Sequence, residues 1–306
     1  ELKFVNFDFE NTWIRELKYE QGFDELLAQF QNTKDALARQ SAMFALVKIA
    51  KDARTSADDK TKIRNTLRDK LLSNEYWRVK LGVLSQFVGL NPADETTIST
   101  LLTVIKNEKA WLKSSAIAFL GNTNNPKFTE IYLNALNDES YRVIQTAAVA
   151  LGKTKDARAF DTLLKLAEKP SMKSQTMLSS MAGLKALGDP RGFDVAFKAL
   201  LDLNLPRWRL SSIPPTWDYR DSAAALIKSL GKSEKAYPLI FERFKKSMAE
   251  NDLNGIFTNV LLIITLADSR GQEAFDLLKV KYKDDANIMT TINQFETQFK
   301  DAIKQN

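Results

Sequence analysis

The densest set of side chains able to do chemistry lies between Leu203 and Asp221. There LNLPRWRLSSIPPTWDYRD places Arg207, Arg209 and Arg220 among Trp208, Trp217 and Tyr219. Guanidinium groups are planar and permanently charged, so such a cluster is suited to gripping a carboxylate or another anion. Pro206, Pro214 and Pro215 stiffen the segment, and its aromatic content sets it apart from a disordered linker. Two roles fit it: a binding or lid loop, and a plug whose tryptophans cover the core beneath.

The rest of the chain offers no catalytic constellation. With no histidine it has no imidazole ligand, general base or neutral-pH switch, and with no cysteine it has no thiolate nucleophile, thiolate metal site or disulfide. No catalytic, metal-binding or cofactor-binding residue is therefore expected in this chain. The charge of +6, from 44 basic and 38 acidic residues, is spread along the sequence and favours solubility over a nucleic-acid partner. The longest apolar stretch, Ile256 to Ala267, is interrupted by Thr258, Asn259 and Thr265. It falls short of the roughly 20 residues that cross a bilayer, so it reads as a buried helix and no membrane partner is expected. The first residues, ELKFVNFDFE, lack the pattern of a signal peptide, and the chain reads as cut from something longer.

The elements that would position the arginine and tryptophan cluster are repeated helix pairs. Asp156-Ala157-Arg158-Ala159-Phe160-Asp161 returns as Asp189-Pro190-Arg191-Gly192-Phe193-Asp194, and a diluted form runs from Asp268-Ser269-Arg270-Gly271 to Phe275-Asp276. Self-similarity at a fixed spacing predicts a helical solenoid, all-α, with seven to eight helix pairs. The pairs are expected at about 22–51, 56–90, 94–121, 126–152, 156–188, 189–231, 234–267 and 270–304, and the cluster is an insertion at 203–221. Second helices end on Leu120-Gly121, Leu151-Gly152, Leu187-Gly188 and Leu230-Gly231, which predicts left-handed glycines just past each helix. Phe160, Phe193 and Phe275 are expected to fill the seams between pairs. Asp156 and Asp189 are expected to accept hydrogen bonds from free helix amides, with Pro190 suited to the first turn. Arg78 and Arg142 follow acidic connections and predict capping and ion pairs within a repeat, while Trp13, Trp77 and Trp111 read as scattered packing residues. Residues 1–20 alternate Leu2, Phe4, Phe7 and Phe9 with polar neighbours and continue through Trp13 to Leu17. They read as two short strands, the residue of an upstream β domain, followed by the helical repeat domain over 21–306.

Phe4-Val5-Asn6-Phe7-Asp8, Trp13-Ile14-Arg15-Glu16-Leu17-Lys18-Tyr19, Phe23-Asp24-Glu25-Leu26-Leu27-Ala28-Gln29-Phe30 and Asp35-Ala36-Leu37-Ala38-Arg39-Gln40-Ser41-Ala42 follow one another in this order. This stretch resembles the junction between the β-sandwich and the C-terminal helical domain of M1-family zinc aminopeptidases, and the later repeats resemble HEAT repeats. The specific part covers about the first fifty residues. The family's His-Glu-x-x-His helix and downstream glutamate are not in this chain, so no catalytic or metal residue carries over. What the resemblance implies is the non-catalytic C-terminal domain of such an enzyme, with zinc in the missing catalytic domain. It would pack on the upstream catalytic and β domains of the same polypeptide and wall the active-site cavity. In that setting Arg207, Arg209 and Arg220 are the candidate contacts for the far carboxylate of a peptide substrate, with Trp208, Trp217 and Tyr219 shaping the wall.

Two other classes compete. A free-standing HEAT-repeat scaffold that binds a protein partner would explain the repeats but leaves the first twenty residues without a role. A HEAT-like DNA glycosylase would use the Trp and Arg cluster with Asp218 as its carboxylate; the small basic excess argues against it, and salt-sensitive DNA affinity would be its signature.

Overall fold

The structure, a computed structural model, describes residues 3–5, 21–201 and 219–305. The expected strands within 1–20 and most of the insertion lie outside those residues. Among the described residues there are sixteen α-helices and no strands, arranged as eight consecutive pairs. The chain is an all-α, HEAT-like solenoid in fold class. It divides into two compact units, Glu1–Thr123 and Asn124–Asn306.

The first unit contains α1 (Phe23–Asn32), α2 (Ala36–Lys51), α3 (Ala57–Leu72), α4 (Trp77–Leu90), α5 (Glu95–Asn107) and α6 (Ala110–Gly121). Short polar side chains start several of these helices. Asp35 accepts from the amides of Leu37 and Ala38, Ser56 from Asp59, and Asp94 from Thr97, each satisfying an amide that a helix start leaves without an intrahelical partner. Each helix packs on the other member of its pair, and the second helices pack in series, α2 on α4 and α4 on α6. Phe30, Leu46, Ile63, Leu67, Leu84 and Phe87 are completely buried between the layers.

The second unit contains α7 (Thr129–Ala135), α8 (Tyr141–Thr154), α9 (Ala159–Glu168), α10 (Gln175–Leu187), α11 (Gly192–Leu201), α12 (Tyr219–Ser229), α13 (Ser233–Ala249), α14 (Leu253–Leu266), α15 (Gln272–Lys281) and α16 (Ala286–Lys304). Here too the second helices stack, α8 on α10, then α12, α14 and α16. The apolar run at 256–267 is almost all of α14, with Ile256, Val260, Ile263 and Leu266 fully buried. No helix among the described residues is long and apolar enough to cross a membrane. Helix α12 begins at Tyr219, so the last residues assigned to the insertion are the first turn of a helix.

The glycine expectation holds at two positions and fails at two. Gly188 and Gly231 take φ of +68° and +65° just past α10 and α12. Gly121 instead closes α6, and Gly152 lies within α8, where the left-handed residue is Lys155 with φ 57°. Gly152 is required by proximity: a Cβ there would collide with the Gly183 carbonyl of α10, and one at Gly183 would lie 2.7 Å from the Ala148 carbonyl oxygen. The two helices therefore approach backbone to backbone.

Candidate functional site

Within the first unit, the loops leading into the second helices carry a ladder of partly buried charges. Arg39, in the first turn of α2, donates to the Thr33 carbonyl and to the carboxylate of Glu75 in the next pair. One pair further on, Lys80 of α4 occupies the corresponding place: it donates to the Ser73 carbonyl at 2.8 Å and to Glu108. The Lys80 side chain is 5% exposed, so this is an interior pair in which each cation also satisfies a backbone oxygen. Lys70 approaches Glu75 at 3.6 Å and donates to the Gln31 carbonyl at the end of α1. Burial works to raise the Glu75 carboxyl, but the Tyr76 amide, Arg39 and Lys70 together hold it below its usual range.

The same loops turn aromatic rings outward. Tyr76 is 56% and Trp111 47% exposed. Trp77 stacks on Trp111 with centroids 5.6 Å apart and planes 22° from parallel, and Tyr76 tilts against Trp77 at 5.8 Å. The expectation that Trp77 and Trp111 are scattered packing residues is corrected: they are neighbours at the rim of one hollow. Arg78 was expected to form an ion pair. It instead lies over the Trp77 ring, 5.2 Å from the centroid, and meets no carboxylate among the described residues.

Two hollows flank this row. One, of about 690 Å³, has Trp77, Lys80, Glu75, Glu108, Lys109 and Trp111 in its lining. The other, of about 430 Å³, is mostly apolar: Phe30 and Met43 form its floor, and Leu37, Tyr76 and Arg78 its edge. A signal for this face was present in the sequence, because Glu75 to Lys80 and Glu108 to Lys113 share an acidic residue followed five positions later by a lysine. It recurs at 33 residues, as Asp156 and Asp189 do, but with two shared residues in six against four, which hid it.

In the second unit, Asp-x-Arg forms a staple. Asp156 accepts from the Arg158 amide at 2.9 Å and from its guanidinium at 3.0 Å, and Asp189 with Arg191 and Asp268 with Arg270 repeat this geometry. These bonds to Arg158, both side-chain and backbone, pull the Asp156 carboxyl down to about 2. Each arginine then reaches back to the preceding first helix. Arg158 meets Glu130, Arg191 covers the Phe160 ring at 3.9 Å, and Arg270 covers Tyr237 at 4.8 Å. Arg270 also donates to the Glu234 carbonyl at 2.9 Å. That oxygen needs a partner because Pro238, four residues on in α13, has no N–H to offer it. Phe160 and Phe275 are buried as expected, whereas Phe193 is half-buried, stacked on Phe197 at 5.4 Å beneath Lys232. The staple also occurs in the first unit, at Asp52-Ala53-Arg54, with the Arg54 side chain 90% exposed.

Of the arginine and tryptophan cluster, Arg207, Trp208, Arg209 and Trp217 lie outside the described residues, as does Asp218. Tyr219 is buried at the start of α12 and Arg220 is half-buried beside it. Arg243 donates to the Leu200 and Leu201 carbonyls at the end of α11; burial, and then the nearby Arg220 charge, lower its pKa. Among the described residues no group of three or more histidine, cysteine, aspartate or glutamate side chains is placed to hold a metal ion.

A family model described as HEAT repeats matches residues 98–175, which run from α5 into the start of α10. No curated protein matches the chain. The match and the paired helices identify a HEAT-like helical domain, the kind of architecture that serves as a scaffold or a protein-binding surface.

Proposed function

We infer that this chain is the non-catalytic C-terminal helical domain of an M1-family metallo-aminopeptidase. In this reading it packs on the catalytic and β domains of the same polypeptide and walls the active-site cavity, so that it limits and orients peptide substrates. The observation that carries the reading is the stretch that resembles the family's first helix pair. Asp35 starts α2, Arg39 ties the first pair to the second through Glu75, and Ala42 is buried at 1% exposure. Asp35, Arg39 and Ala42 thus have structural tasks suited to the opening of a helical array.

The chain itself supplies no chemistry in this reading. A zinc peptidase needs histidine ligands and a glutamate to activate water, and this sequence has no histidine. Zinc belongs to the upstream catalytic domain, and Arg207, Arg209 and Arg220 remain candidates for a peptide carboxylate. Sequencing the native coding region upstream of Glu1 tests the reading. A His-Glu-x-x-His motif with a downstream glutamate supports it, and a start codon close to Glu1 contradicts it.

A free-standing protein-binding scaffold is the second reading. The exposed Tyr76 and Trp111 beside two hollows favour it, since aromatic side chains are enriched where proteins meet. The glycosylase alternative has no comparable support, because many cations are already engaged with backbone carbonyls.

A further inference from the structure

The two hollows of the first unit share one border, Tyr76 to Arg78, and differ in character. The hollow beside α2 is an apolar socket with Phe30 and Met43 at its base. The hollow between the loops leading into α4 and α6 is lined by Glu75, Lys80, Glu108 and Lys109 beside Trp77 and Trp111, and the charges around the two hollows are unevenly committed. Glu75 is engaged by Arg39 and Lys70, and Glu108 by Lys80. The cations Arg78 and Lys109 are exposed and meet no carboxylate among the described residues. At α4 the Glu75 carboxylate takes the Tyr76 amide at 2.8 Å, whereas Lys109 before α6 makes no side-chain hydrogen bond to the helix amides, so the positive end of α6 adds to the rim. The Arg78 guanidinium lies over the Trp77 ring, 5.2 Å from its centroid, and being exposed it is available to a carboxylate.

We propose that this face binds an extended acidic segment of a partner polypeptide, with an apolar side chain in the socket by Phe30 and carboxylates on Arg78 and Lys109. The complement is a short sequence in which one large apolar residue stands beside aspartates or glutamates. Charge fixes the sign of the partner, and the apolar socket distinguishes a peptide from a simple anion. The inference goes beyond the aminopeptidase reading and does not depend on it, since it uses only the first three helix pairs.

Selection of a displayed random dodecapeptide library on the full chain tests it, followed by fluorescence anisotropy with the enriched peptides. The expected result is a consensus with acidic residues flanking a large apolar one. Affinity should fall at least tenfold in Arg78→Glu/Lys109→Glu and in the milder Arg78→Gln/Lys109→Gln, and weaken as salt rises. Far-ultraviolet circular dichroism should stay unchanged, because both side chains are exposed. No enrichment, a consensus without acidic residues, or equal binding by the variants overturns the proposal. So does concentration-dependent dimerisation abolished by the same variants, which would make a second copy of the chain the occupant.

Discussion

The two units solve the same problem, joining one helix pair to the next, with different chemistry on different sides of the pair. In the first unit the joints are ionic and partly buried and lie at the start of the second helices, where Arg39 and Lys80 each bridge a carbonyl of their own loop and a carboxylate of the next. In the second unit the Asp-x-Arg staples lie at the start of the first helices, with guanidiniums laid over Phe160 and Tyr237. The second helices α8 and α10 touch through glycine backbones instead. The contrast bears on function. Charges turned inward in the first unit leave Tyr76 and Trp111 facing out, whereas the staples of the second unit cover Phe160 and Tyr237.

A glycine substitution gives the largest expected effect. Gly183→Ala places a methyl 2.6 Å from the Leu163 side chain and 2.7 Å from a backbone oxygen, so overpacking should cost about 3 kcal/mol in urea unfolding. Gly89→Ala, in α4 with open space around it, should leave stability unchanged or raise it by up to about 1 kcal/mol. Equal losses at the two sites would remove the backbone contact from the account. Next comes Arg39→Ala, which leaves Glu75 with Lys70 as its remaining cation. Breaking this partly buried pair, 11% and 18% exposed, should cost about 2 kcal/mol. Arg191→Ala, at a staple whose arginine is 60% exposed, should barely move the melting midpoint.

An acid titration sharpens the comparison within the second unit. Lys279, with Gln272 and Lys300, holds the Glu296 carboxyl at about 2, against an ordinary value of 4.5. A carboxylate lowered in the folded state adds stability above its unfolded pKa and loses it as pH falls. Glu296→Gln should therefore destabilise the protein at pH 6, by on the order of 2 kcal/mol. The difference from wild type should shrink between pH 4.5 and 2; a difference that stays constant over this range contradicts the assignment. A smaller coupling concerns Pro238. Restoring an amide with Pro238→Ala gives the Glu234 carbonyl an intrahelical donor, so Arg270→Ala should cost about 0.5 kcal/mol less in that background than in the wild type.

Much of the architecture was legible because helix pairs announce themselves through period and punctuation. All eight expected pairs coincide with observed ones to within a few residues, since capping residues such as Asp35 and Asp94 and the left-handed Gly188 and Gly231 mark real ends. Gly152 misled because glycine serves two ends, conformational freedom and close approach, and a single sequence does not say which. The Trp77 and Trp111 pair was illegible for a similar reason: residues 34 positions apart stack only because the loops lie side by side. The basic residues favour solubility, but several of them also cap helix ends, which their spread along the sequence does not reveal. Lys155 donates to the Ala186 and Leu187 carbonyls, Lys281 to Met248, and Lys228 to Ala302. A cation that meets the negative end of a helix needs no acidic partner, so formal charge overstates what is left for an external ligand.

The claim that the two units are held by different joints is tested most directly by native-state hydrogen exchange of the full chain as wild type, Arg39→Ala and Gly183→Ala. Repeat arrays respond through nearest neighbours, so Arg39→Ala should lower protection in α1 to α4, and Gly183→Ala in α8 to α10. A uniform loss of protection across all sixteen helices in both variants, or no loss in α2 and α4 for Arg39→Ala, would contradict it.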